Sequence, residues 1–156
     1  MAVYPDFEDL LRCLNAAKAR YLIVGAHAVS FYTEPRYTKD LDIWIDPSPE
    51  NAAKVYKALG KFGAPIKNLC VEDLTRPNLF YQLGIAPVRI DIIMSISRVN
   101  FSDAWKKRKP TRFGNIQVNI IGIEELIKSK KAVMRPQDRI DLSKLAKSKK
   151  LKTRKK

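Results

Sequence analysis

Two short apolar segments of this chain are interrupted by aspartates, and they limit strongly how the chain can fold. Residues 38–45 read TKDLDIWI, and residues 88–94 read VRIDIIM. Side chains alternate between the two faces of a strand, so Asp40 and Asp42 lie on one face and the aliphatic residues on the other. Asp91 lies within an apolar run, where an unpaired carboxylate is costly. These three acids therefore need partners, and their hard oxygen atoms suit a divalent cation.

Two ion-pairing interpretations of the same acids remain open. Asp40 and Asp42 could cap a strand end and pair with Arg36 or Lys39. Asp91 could be the salt-bridge partner of Arg89 or of another arginine. The metal interpretation accounts for all three acids at once, whereas each ion-pairing interpretation accounts for only some of them.

The length and composition indicate one domain with a substantial core. The chain has 156 residues, and 46% of them are hydrophobic. This length is enough for one domain with a hydrophobic core but too short for two domains of ordinary size. No apolar run approaches the roughly 20 residues of a membrane span, and the N-terminal residues lack the pattern of a secretory signal. The two cysteines show no metal-ligand spacing. These features predict a cytoplasmic protein with no membrane association.

The net charge of +14 is spread unevenly along the chain. Residues 144–156 are rich in lysine and arginine and contain no acid, and a second basic cluster covers residues 106–109 with Arg112 close by. We expect a folded domain over residues 1–146 and a disordered basic tail over 147–156. The density of positive charge in the tail suggests an anionic partner, with nucleic acid the obvious candidate. The alternative is a solvated tail that aids solubility.

Hydrophobic periodicity and turn residues predict alternating helices and strands. We expect helices over about 7–18 (capped by Asp6), 26–32, 49–59 (capped by Ser48 and ended by Gly60 and Gly63), 123–134 and 136–147, and a short helix or turn over 101–107. We expect strands over 21–24, 38–45, 79–83, 88–94 and 116–120, with residues 65–77 irregular. Together these elements predict an α/β (α+β) single domain with a small mixed β-sheet and flanking helices.

The order of these segments suits phosphate chemistry. Gly25 ends a buried strand and lets the backbone approach a phosphate closely, and the helix that follows offers free N–H groups to it. Asp40 and Asp42 could bridge one or two magnesium ions that bind nucleotide phosphates. Asp91 could complete a second metal site and help to deprotonate an attacking hydroxyl.

These motifs resemble a known superfamily. Gly25-Ala26, then residues 38–43 (TKDLDI) and residues 90–92 (IDI), resemble the signature of the DNA-polymerase-β-type nucleotidyltransferases. Residues 130–142 follow the pattern K-x-A-x-x-R-x-x-D-x-x-D-L, which resembles AbiEii-like nucleotidyltransferases, including toxins of toxin–antitoxin pairs, and uncharacterised prokaryotic relatives. The resemblance extends over roughly residues 5–146.

The resemblance implies a nucleotidyltransferase-like fold and a set of site residues. It makes Asp40, Asp42 and Asp91 ligands of Mg²⁺ or Mn²⁺ and, with Lys130, the catalytic residues. It implies a phosphate contact by Lys130 and places Arg135 at the same helical junction. Gly25, Ala26, Arg36, Lys39 and Arg135 are further candidates for nucleotide binding, although Arg36 and Lys39, which lie just before the acids, could instead only balance the local charge. The superfamily usually has Gly-Ser or Gly-Gly where this chain has Gly25-Ala26, so a phosphate-binding hydroxyl is missing.

Three functions follow from these patterns. The first is a metal-dependent transferase that moves NMP from an NTP to a hydroxyl of RNA, protein or a small molecule, in a toxin–antitoxin context. The basic tail and the AbiEii-like resemblance together favour an RNA such as tRNA, bound through the tail. The second is a catalytically weak or inactive module, such as an antitoxin or an RNA-binding partner, in contact with another protein. The third is a metal-dependent phosphodiesterase or nuclease. His27 is interpreted as either a phosphate contact or a packed residue, and Trp44 and Trp105 are interpreted as packing residues rather than base-stacking platforms.

Overall fold

The computed structural model describes residues 4–34, 38–84 and 88–154. Arg36, predicted to bind nucleotide, lies outside these residues. The helices are α1 (Pro5–Ala16), α2 (Gly25–Tyr32), α3 (Pro49–Phe62), α4 (Phe101–Lys106), α5 (Ile123–Val133) and α6 (Pro136–Arg154), with a short 3₁₀ helix at Val71–Thr75. The strands are β1 (Tyr21–Val24), β2 (Asp40–Ile45), β3 (Phe80–Leu83), β4 (Arg89–Ile93), β5 (Lys109–Phe113) and β6 (Ile116–Ile120).

The six described strands form one mixed sheet in the order β3-β4-β2-β1-β6-β5. β2 and β4 are parallel neighbours near one end, and β1 and β6 are parallel neighbours in the other half. The remaining pairs, including β1 with β2, are antiparallel. This confirms the predicted α/β single domain with a mixed sheet, and it places the two aspartate-bearing strands side by side.

The core explains why these segments fold as they do. The apolar stripe of α1, which includes Phe7 and Leu10, and the aliphatic face of β2, which includes Leu41 and Ile43, are fully buried. Trp44 lies on the face of β2 that carries the aspartates, but it is buried against Phe101 of α4 at 5.1 Å between ring centroids. The acids at the start of β2 therefore face a cleft, whereas the end of the same strand is closed by packing.

Several predicted boundaries need correction. Asp6 does not cap α1, because Pro5 occupies the first turn and Tyr4 is the N-cap residue. Gly60 does not end α3, which continues to Phe62 and stops at the left-handed Gly63. The Ser48 side chain does accept a hydrogen bond from Asn51 N, as predicted for an N-cap.

Two segments near the basic clusters also differ from expectation. The sequence KPTRF at Lys109–Phe113 forms β5, which we did not predict because its charges and proline are atypical of a strand interior. β5 is an edge strand, where proline and charge are tolerated. Helix α6 was expected to end near Lys147 and instead continues to Arg154. The boundary between a domain at 1–146 and a separate basic tail stays a prediction.

No helix among the described residues has the length and apolar character needed to cross a membrane.

Candidate active site

The site is centred on two carboxyl groups that lie opposite each other on neighbouring strands. Asp42 of β2 and Asp91 of β4 are register partners in the parallel pair. The core faces of both strands are aliphatic, so both acids project to the same open side of the sheet. Two carboxylates at such positions repel each other, which opposes ionisation of Asp42.

The environment of Asp42 opposes its ionisation. Burial is the largest cause, followed by repulsion from Asp91, the hydrogen bond to Asp91 and repulsion from Asp40, while Lys130 acts in the opposite direction. Together they raise the pKa of Asp42 to about 7. An acid held near neutrality by neighbouring acids is typical of a functional site, because structural acids usually have compensating cations.

The turn between β1 and α2 brings backbone against this pair. Gly25 has a φ of +69°, and a Cβ at this position would overlap the Asp42 carboxylate. The position therefore demands glycine both for its left-handed backbone and for its close approach to the acid. Ala26 follows in the first turn of α2 and is half-buried.

Asp40 and Asp91 each contact a polar residue that the sequence alone did not identify as their partner. Arg89 Nε lies 3.7 Å from Asp40 Oδ1, so Arg89 pairs with Asp40 and not with Asp91 as one interpretation supposed. Gln82 of β3 donates a hydrogen bond to Asp91 Oδ1 at 3.0 Å. Asp91 and Gln82 are register partners, and only the strand pairing reveals this contact, because the two positions are nine residues apart in sequence.

Lys130 of α5 is held by two acids of α6. Its Nζ lies 3.2 Å from Asp138 Oδ1 and 3.1 Å from Asp141 Oδ2. Both aspartates are only 1% exposed. The ammonium group of Lys130 therefore neutralises buried charge, although it also lines the cleft beside Asp42.

Asp138 connects this ion cluster to Arg135. Its Oδ2 accepts hydrogen bonds from both the backbone N and the Nε of Arg135, each at 3.0 Å. The backbone bond is half of a capping box, since Arg135 precedes the first residue of α6. Burial alone would raise the pKa of Asp138, but hydrogen bonds from Arg135 and Lys130 outweigh it and lower the pKa.

The acids and these cations meet in an open cleft formed by two adjoining cavities of about 240 and 420 Å³. Asp42, Ile93 and Arg135 line both cavities. Gly25 and Lys130 lie in the smaller cavity, and Asp40, Asp91 and Phe80 lie in the larger one. The Arg135 side chain is 72% exposed and the Phe80 residue 66% exposed, so a cation and an aromatic ring are free to meet a ligand.

The fit of a divalent cation to this site is partial. The donors are carboxylate oxygens, which suit Mg²⁺, and Asp40 Oδ1 is buried without a hydrogen-bond partner. Among the residues that the structure describes, however, no three His, Cys, Asp or Glu side chains are grouped so as to hold a metal ion. Asp40 is turned toward Arg89, and Asp42 and Asp91 are occupied with each other.

The remaining candidates occupy different places. Lys39 precedes β2, and its carbonyl accepts a hydrogen bond from Arg89 N at 3.0 Å. His27 lies in the core among aromatic rings, 5.1 Å from Phe113 and 5.9 Å from Phe7 between centroids. Burial is the main cause that lowers its pKa to about 4. The interpretation of His27 as a packed residue is therefore the correct one for this structure.

Comparison with solved structures gives the class of fold. No protein-family model matches the chain, and no curated protein matches it. A solved structure described as a candidate nucleotidyltransferase from Thermotoga maritima superposes with a TM-score of 0.60 and 15% identity, covering 94% of this chain and 96% of the other. The lincosamide antibiotic adenylyltransferase LnuA, solved with lincomycin, gives a TM-score of 0.59 and 15% identity, covering 93% and 97%. The chain therefore has a nucleotidyltransferase fold over nearly its whole length.

Proposed function

We propose that this protein is a divalent-metal-dependent nucleotidyltransferase that moves NMP from an NTP to a hydroxyl group. The observation that carries this proposal is the pair of carboxyl groups of Asp42 and Asp91, which lie opposite each other on β2 and β4 in a cleft also lined by Arg135. Like-charged acids so close together are relieved by a divalent cation, and the nucleotidyltransferase fold makes such a cation a natural partner.

In this mechanism the acids would hold the metal and the cations would hold phosphate. Asp40, Asp42 and Asp91 would supply carboxylate oxygens, and the metal would polarise the α-phosphorus. Arg135 is exposed at the cleft and would pair with a phosphate oxygen. Lys130 lies deeper and is already paired with Asp138 and Asp141, so its main effect would be to stabilise the position of Arg135 through Asp138.

Three classes of molecule could serve as the acceptor. RNA, a protein and a small molecule all offer the required hydroxyl group. LnuA is described as acting on lincosamide antibiotics, so a search for the acceptor of this chain should include small molecules. A toxin–antitoxin role and a protein partner stay predictions from the AbiEii-like resemblance.

A second function, a module with weak or lost activity, is favoured by a different observation. Asp40 is engaged by Arg89, and Ala26 replaces the usual small hydroxyl or glycine residue. A module of this kind would keep the fold and bind a partner without turnover.

Isothermal titration of each NTP, with and without Mg²⁺, separates the two. We expect one NTP to bind only with Mg²⁺, and we expect Asp42→Asn to abolish that binding. Asp9→Asn, an exposed acid on α1, is the matched control and should bind as the wild type does. Binding of no NTP by the folded wild-type chain would reject the transferase and leave the binding module.

A further inference from the structure

A second cleft, of about 830 Å³, lies away from the acids. The loop after α1, the start of β1 and the β5–β6 hairpin form its walls, and its lining includes Lys18, Arg20, Trp105, Arg112 and Asn119. β1 begins at this cleft with Tyr21 and ends with Val24, the register partner of Asp42. The two clefts therefore lie at opposite ends of the same strand.

This second cleft is electropositive. Lys18, Arg20 and Arg112 are all exposed, and none of the residues that line the cleft is acidic. None of these three side chains has a carboxylate partner within the described part of the chain. A concave surface with several unneutralised cations raises the local concentration of polyanions.

Trp105 provides a fixed aromatic surface in the same cleft. Its ring stacks on Phe101 at 5.7 Å between centroids with an interplanar angle of 21°. The guanidinium carbon of Arg108 lies 4.1 Å from the Trp105 ring centroid, and that of Arg20 lies 5.4 Å from it. The indole is only half-buried. Phe101 accounts for the packing role expected of Trp105, and Arg108 is also held by a hydrogen bond from its Nη1 to the Trp105 carbonyl oxygen at 2.7 Å. The exposed part of the ring and Arg20 line the cleft.

We propose that this cleft binds single-stranded RNA. The cations would contact the phosphates, and a base would stack on the indole or on the arginines that cover it, as nucleobases do on aromatic and guanidinium planes. Thr111, Gln117 and Asn119 lie between the cations and offer hydrogen bonds for a 2′-hydroxyl. This places RNA binding on the folded body of the protein rather than on the basic C-terminal segment.

An acidic peptide is a poorer occupant of the same surface. A peptide would most simply add as a strand to the free edge of β5. Pro110 has no N–H group to donate at that edge, and Lys109 and Arg112 flank it with charge, which are the features that discourage strand addition. The carboxylates of such a peptide would also make no stacking interaction with the Trp105 ring.

The test measures binding alone, so it does not depend on nucleotide transfer. The full chain, without NTP or Mg²⁺, is titrated into a labelled single-stranded RNA of about 12 nucleotides, and fluorescence anisotropy is followed over a series of salt concentrations. The cleft variant is Arg20→Gln/Arg112→Gln. The matched control is Lys54→Gln/Lys57→Gln, two exposed lysines of α3. A third variant, Lys150→Gln/Lys152→Gln, removes charge from the end of α6.

We expect the cleft variant to bind roughly tenfold more weakly at 0.1 M salt, with a salt slope smaller by about 1.4 for two lost phosphate contacts. The α3 and α6 variants should change affinity less than about twofold. RNA should quench tryptophan fluorescence in the wild type but not in Trp105→Phe, because the remaining Trp44 is buried.

Four outcomes would overturn the proposal. They are wild-type affinity in the cleft variant, an equal loss in the α3 control, a loss confined to the α6 variant, and equally tight binding of a DNA strand or of poly-glutamate. Circular dichroism of each variant excludes loss of folding as the cause of weaker binding, and the side chains substituted in the cleft variant and in the α3 control are exposed.

Discussion

Asp42 and Asp91 are register partners on two parallel strands. Parallel pairing places the two side chains on the same face of the sheet, and the aliphatic residues around them are buried in the core. Burial and the neighbouring carboxylate of Asp91 therefore favour the protonated form of Asp42, and this has direct consequences for pH dependence.

The first prediction concerns stability and pH. The pKa of Asp42 is raised to about 7 by burial and by Asp91, whereas in the unfolded chain it returns to its ordinary value near 4. The folded state thus holds more protons between these values, and stability falls as pH rises through this window. Asp42→Asn removes this loss. We expect its melting temperature relative to wild type to be higher at pH 8 than at pH 5 by about 3 °C or more, measured without divalent cations.

Mg²⁺ and a surface acid provide the controls for that measurement. Mg²⁺ should stabilise the wild type more at pH 8 than at pH 5, because the cation competes with the proton on Asp42. Asp9→Asn should show the same pH dependence as wild type. An equal shift of the melting temperature of Asp42→Asn at both pH values would contradict a raised pKa at Asp42.

The second prediction separates backbone strain from site geometry at Gly25. Gly25→Ala should destabilise the fold by about 1–3 kcal/mol and abolish Mg²⁺-dependent NTP binding, because the new methyl group displaces the Asp42 carboxylate. Gly63→Ala is the matched control, with a φ of +91° and nothing within 4 Å of the added Cβ. It should lose stability but keep NTP binding. Equal NTP affinity in both variants would show that the close approach of Gly25 to Asp42 is not needed for nucleotide binding.

The third prediction tests the ion cluster between α5 and α6. Lys130→Met leaves Asp138 and Asp141 buried without their ammonium partner, so we expect a loss of about 3 kcal/mol in the free energy of unfolding. Urea denaturation measures this loss. Lys128→Met on the same helix removes an exposed lysine and should change stability by less than about 0.5 kcal/mol. Similar small changes in both would mean that the cluster is solvated in solution.

The fourth prediction concerns the competition between Arg89 and a metal for Asp40. Arg89→Gln removes the guanidinium that lies 3.7 Å from Asp40. We expect Mg²⁺ affinity to rise several-fold in calorimetric titrations, since the carboxylate is freed and a repelling charge is lost. Adding Asp40→Asn to that variant should reverse the gain. An unchanged gain in the double variant would remove Asp40 from the set of metal ligands.

Local patterns were sufficient for much of this fold. Alternation in residues 38–45 and 88–94 identified β2 and β4 and the faces of their aspartates, because a strand buried on one side imposes a strict period of two. The Ser48 cap marked the start of α3 for an equally local reason, whereas its end was placed a few residues early, because Gly60 was expected to stop the helix together with Gly63. The strand β5 was missed, because its sequence carries the charge and proline of an edge, and only pairing with β6 makes it a strand.

The partners of the charged groups were decided by tertiary structure. Periodicity shows which face a side chain occupies, but not which strand or helix lies beside it. Asp42 meets Asp91 because β2 and β4 are neighbours, and Arg89 meets Asp40 for the same reason. Likewise, Lys130 reaches two buried aspartates only because α5 and α6 pack together. The candidate functional residues can thus be identified from the sequence. Their distances, burial and pKa shifts arise from contacts between segments that are remote in sequence.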